Sequence, residues 1–125
     1  MNKVRRQRLV SAECCVSAVK AECVKIGKKT VNEVLNSIAI LIDEISNIQS
    51  DEQYAFDSFP ENLQYSVKGE AMEYAISEMD DAIGALDELV EMLEQFRDTD
   101  KAIDHTAIND RFNYVCKSLN RARSY

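Results

Sequence analysis

The sequence predicts an all-α fold, four-helix-bundle-like, in which a long antiparallel helical hairpin packs with two shorter helices. Three observations predict it. Apolar residues recur at alternating three- and four-residue intervals through most of the 125 residues, the spacing that gathers them on one face of an α-helix. Three glycines and one proline leave too few reversal points for a β-sandwich or barrel. A hydrophobic content of 46% is too high for a disordered chain, and the length supports a single helical domain, residues 1–125, with its own core.

The first predicted helix covers about residues 4–26. Leu9, Ala12, Val16, Val19, Cys23 and Ile26 form its seam, and Gly27 offers a C-terminal cap. The second covers about 30–57, with Val31, Val34, Ile38, Leu41, Ile45, Ile48 and Ala55 as its seam and Leu35 and Ile42 beside it. Thr30 and Glu33 have the spacing of a capping box. Glu52 interrupts the seam and is expected at a frayed or solvent-facing end.

The third long helix, about 67–98, carries the most regular pattern of the chain: Met72, Ala75, Met79, Ala82, Leu86, Leu89, Leu93 and Phe96. Ile76, Ile83 and Val90 widen this stripe at one flank, enough to touch two neighbours. Gly84 falls mid-helix on the outward side, where it reads as an unconstrained exposed position or a point of close backbone approach. The last helix, about 104–122, places Ile108, Phe112, Val115, Leu119 and Ala122 on one face, with Asp104 or Thr106 as N-cap. Between the two long helices lies Ser58 to Ser66, holding the only proline; Pro60 suits the first position of a tight helical turn and Ser66 a cap. Phe56, Phe59, Leu63 and Tyr65 are expected to cover that end of the hairpin. Such short connections require antiparallel neighbours.

Charge is laid out in blocks. Residues 1–42 hold eight basic against three acidic residues, residues 43–104 three against eighteen, and residues 105–125 four against one. A basic head and tail thus flank a strongly acidic middle. Either the ends fold back and neutralise the hairpin, or the acidic face serves a partner. No apolar run approaches the roughly twenty residues of a spanning helix, and the basic start is not followed by a signal core. These features predict a cytoplasmic protein with no membrane contact.

Catalytic chemistry is sparse. His105 is the only histidine, no Glu-x-x-His pair exists, and no His/Cys cluster has zinc spacing. His105 reads as a loop or capping residue. Asp43-Glu44, Asp51-Glu52 and Asp80-Asp81 point about 100° apart on a helix and read as solvated faces, not cation sites. Cys14, Cys15, Cys23 and Cys116 read as small buried hydrophobes. The expectation is no enzyme, no cofactor and no metal.

The joint Asp51-Glu52-Gln53-Tyr54-Ala55-Phe56-Asp57-Ser58-Phe59-Pro60-Glu61-Asn62-Leu63-Gln64-Tyr65-Ser66, followed by Gly69-Glu70-Ala71-Met72-Glu73 and Ala75-Ile76, resembles a helical hairpin of small uncharacterised proteins of bacterial phages and prophages. It covers about a quarter of the chain. Tyr54 stands where that pattern has an acidic residue, and Ser58-Phe59 where it has Asn and a small apolar residue. The resemblance implies a fold element and a mobile-element origin, not a chemistry.

Together these features point to a non-enzymatic protein-binding module, an inhibitor of a host enzyme or of a bacterial defence complex such as the CRISPR machinery. Its expected contacts are the outward carboxylates Glu73, Asp80, Asp81, Asp87, Glu91 and Glu94. One alternative is a self-assembling structural or scaffold protein, a homodimer or larger homo-oligomer. The other is a nucleic-acid binder through Arg5, Arg6, Arg8, Arg111, Lys117, Arg121 and Arg123, which the overall acidity opposes.

Overall fold

A computed structural model describes all residues, 1–125, as five helices and no strand. They are α1 (Lys3–Cys23), α2 (Val31–Asp57), the single turn α3 (Glu61–Gln64), α4 (Val67–Asp98) and α5 (His105–Ser124). The four long helices close a ring: α1 packs on α2 and α5, and α4 packs on α2 and α5. Chain-order neighbours are antiparallel, as their short connections demand. One continuous core runs through the ring, from Leu9, Val16 and Ile38 through Met79, Leu86 and Leu89 to Phe112 and Leu119.

The seam residues expected from periodicity are the buried ones on every long helix, with Ile26, Ala55 and Phe96 only partly covered. The bounds of α2 and α4 fall within a residue of expectation. Helix α1 stops three residues early. Its C-cap is Val24 in a right-handed helical conformation, and no glycine adopts a positive φ, so Gly27 is not a left-handed cap. Its peptide instead sits in the α1–α2 turn, where Gly27 N–H donates to Thr30 Oγ1 at 3.0 Å. That contact also undoes the expected capping box, because the Thr30 hydroxyl faces back into the turn and accepts nothing from α2. Lys28 in the same turn donates to the carbonyls of Phe96 and Thr99, so a cation closes the C-terminal end of α4.

Ser66 Oγ, at the opposite end, accepts from Gly69 N–H at 3.2 Å, and Asp104 Oδ1, at the Lys28 end, accepts from Ala107 N–H at 3.1 Å, so both expected caps form. Pro60 stands one residue before α3, at its N-cap. The joint packs tightly at Gly69. A Cβ there would collide with the Gln64 carbonyl oxygen and lie 2.7 Å from that of Leu63. The joint's apolar residues cover less than expected: Phe56 and Phe59 are half-buried, whereas Leu63 is 46% and Tyr65 79% exposed. The one-turn α3 is too short to fold them over the helix ends.

Glu52 corrects another expectation. It is fully buried at a seam position of α2 and accepts from Arg5 Nε at 2.9 Å, with the Met1 amine 3.8 Å from its other oxygen. Burial holds that amine below the usual amine range, although the carboxylate opposes the shift. Arg5 lies four residues before Leu9 and so occupies the α1 seam. The bundle ends on a buried ion pair where two helices would otherwise meet through apolar side chains.

Breaking a buried pair leaves an uncompensated charge. Arg5→Ala is expected to lower stability by about 2–3 kcal/mol at neutral pH, and Arg5→Met combined with Glu52→Leu to restore most of it, as read by urea unfolding. Gly69→Ala is expected to cost about 1–3 kcal/mol in the same assay, because the obstruction is backbone that no rotamer change relieves.

Candidate protein-binding face

Contacts made by α4 sort its carboxylates by flank. Gln49 donates to the Ile76 carbonyl and to Asp80, and Arg97 donates to Asn32, so this flank faces α2. On the other flank Glu78 meets Arg121 at 3.6 Å, Glu88 meets Arg111 at 2.9 Å, and Tyr74 stacks on Tyr125, so that flank faces α5. Helical spacing then places Glu73, Asp80, Asp87 and Glu94, seven residues apart, in one row on the α2 flank. Glu91 stands on the outer ridge beside them. Asp81, about 100° round from Asp80, falls on the α5 flank and does not belong to the row.

Glu73, Asp81, Asp87 and Glu91 form no ion pair within the chain. Glu94 is 4.0 Å from Arg97, which is engaged mainly with Asp98; that hydrogen bond holds the Asp98 carboxyl below the usual carboxylate range. The opposing surface of α2 carries no basic residue, with Asn32, Asn36, Ala39, Ser46 and Ser50 lying among the exposed Asp43 and Asp57. The α2/α4 face is therefore acidic with little internal compensation.

The basic candidates meet a different fate. Helices α1 and α5 do lie side by side, but their arginines reach outward to neighbours. Arg5 turns into the core at Glu52, Arg8 meets Asp51 at 2.5 Å and Glu44 at 3.7 Å, and Arg123 meets Glu13 at 2.5 Å. With Arg111 and Arg121 paired to α4, only Arg6 and Lys117 of the seven are exposed and without a carboxylate partner. The basic ends fold back on acidic residues instead of forming one patch.

Cysteine placement also departs from expectation. Cys23 is buried and Cys116 half-buried, but Cys14 and Cys15 are exposed, and all four thiols are free. The α1 seam passes through Ala12, Val16 and Val19, which turns positions 14 and 15 outward. Cys15 lines a groove of about 400 Å³ between α1 and α2, with Ala18, Ile40 and Leu41. His105 is exposed at the start of α5, one residue after the cap. No three His, Cys, Asp or Glu side chains converge on a point that holds a metal ion. No helix is long and apolar enough to cross a membrane.

No family model matches the chain, and neither a curated protein nor a solved structure matches it. The geometry of the face is what bears on its use.

Burial pushes the Cys23 thiol up to about 11, which removes its reactive thiolate at neutral pH. Native protein treated with an alkylating reagent near pH 8 is expected to be modified at Cys14 and Cys15 first, with Cys23 reacting only on unfolding, as read by peptide mass spectrometry.

Proposed function

We infer that the protein is a non-enzymatic binding module that engages a basic surface of a partner protein through the α2/α4 face. The observation that carries this reading is the asymmetry of charge pairing: five of the seven terminal basic candidates are matched within the chain, whereas Glu73, Asp87 and Glu91 are not. Uncompensated carboxylates on a rigid helix raise the local potential, speed association with a basic partner and reject acidic ones. The resemblance of the joint to phage and prophage hairpins supports a mobile-element origin, and with it a host enzyme or defence complex as the target class.

Self-assembly is the second reading, favoured by exposed apolar residues at the joint: Tyr54 at 77%, Tyr65 at 79% and Val67 at 86%. A strictly monomeric species by light scattering argues against it. A nucleic-acid role through the termini has little free charge left to it.

The test is retention of a partner from nuclease-treated bacterial lysate by the tagged protein and by a Glu73→Lys, Asp87→Lys, Glu91→Lys variant. The expected outcome is loss of the retained protein with unchanged helicity by circular dichroism. Equal retention by both overturns the reading, and retention that depends on intact nucleic acid points to the basic termini. Asp81→Lys, a like charge change on the other flank, is expected to retain the partner.

A further inference from the structure

The acidic-face reading, on which this inference rests, leaves the partner's form open, and the furrow between α2 and α4 narrows it. Ile76, Ile83 and Val90 on α4 and Leu35 and Ile42 on α2 remain only half-buried after the bundle has closed. The antiparallel register that sets Gln49 against Ile76 places Ile42 across from Ile83 and Leu35 across from Val90. An apolar stripe thus runs along the furrow, with the row Glu73, Asp80, Asp87 and Glu94 beside it on one bank and small neutral residues, Ala39 and Ser46, on the other.

We propose that this furrow docks an amphipathic basic helix of the partner, its Lys or Arg residues repeating every seven positions. The seven-residue interval sets the carboxylates about 10.5 Å apart, the repeat of a helix that presents the same face every two turns. The charges flanking the apolar seam of a coiled coil repeat in this way. Duplex nucleic acid carries a charge about every 3.4 Å along each strand, so the row is too sparse to imitate it.

Gly84 is exposed, and a Cβ added there meets nothing within 4 Å. About 100° round α4 from Ile83, it lies on the outer ridge beyond the carboxylate row and outside the furrow.

The test titrates a synthetic four-heptad helical peptide, apolar on one seam with one flanking Lys per heptad, into the intact protein by fluorescence anisotropy. The comparison peptide has the same composition with its Lys residues dispersed round the helix. The heptad peptide is expected to bind at least about tenfold more tightly. Gly84→Leu, on the ridge outside the furrow, is expected to melt no lower than the parent and to keep that preference. Asp80→Lys with Asp87→Lys abolishes binding, and Asp81→Lys preserves it.

Equal affinity for the two peptides overturns helix docking while the acidic-face reading stands. So does failure of both peptides to bind when the lysate partner is still lost on charge reversal. Peptide binding and lysate retention both unmoved by charge reversal remove the two readings together.

Discussion

Helix α4 has to bury apolar residues on both flanks of its seam, and every other long helix takes its place from that requirement. Its buried set, from Met72 to Leu93, includes Ala85 beside Leu86, and Ile76, Ile83 and Val90 widen the stripe toward α2. A stripe of that width cannot be covered by one partner helix. Helices α2 and α5 therefore take one flank each, and α1 closes the ring opposite α4 by packing on both. Short connections make the sequential neighbours antiparallel. The acidic hairpin occupies one side, and the basic ends return along the other.

That return spends basic charge without adding much stability. Arg111, Arg121 and Arg123 sit in partly exposed pairs, each worth about 0–1 kcal/mol in double-mutant terms and less in salt. Their effect is on where field remains. On the α5 flank of α4, Glu78 and Glu88 meet arginines, and Asp81 alone of the candidates there is left unpaired. Carboxylates on the α2 flank meet asparagine, alanine, serine and glutamine. Largely unpaired carboxylates thereby form a continuous row on the α2 flank of α4 in a chain of net charge -7, a layout that serves association more than folding.

The seams were legible in the sequence because a repeat of 3.5–3.6 residues leaves a mark in each turn, and over α4 that mark lasts more than three heptads. Helix ends were legible where the capping oxygen acts on its own helix, as with Ser66 and Asp104, and illegible at Thr30, whose hydroxyl is claimed by the Gly27 turn. Cys14 and Cys15 were misplaced by composition, since cysteine is usually buried, although their position between Ala12 and Val16 already turned them outward. The six candidate carboxylates could be named from the sequence, but not divided. Asp80 and Asp81 are neighbours in the chain and face different helices in the bundle, which depends on which side α2 takes. The glycines of α4 show the same limit: Gly69 is demanded by the Gln64 carbonyl and Gly84 by nothing within the chain, yet the letters are identical.

Arg5 and Glu52 were also visible as seam residues of opposite charge, had the α1 seam been extended one step back from Leu9. A charge at a core position destabilises the alternatives more than it stabilises the native state. Sliding α1 along α2 by one heptad would bury Arg5 against Ile45 and leave Glu52 without its donor, two unpaired charges where the native register has none. Buried polar pairs specify register in coiled coils by this penalty. Held at that end by the pair, and at the other by Lys28 on the α4 carbonyls, α1 and α2 keep a fixed alignment with α4. The carboxylate row and the half-open furrow beside it depend on that alignment.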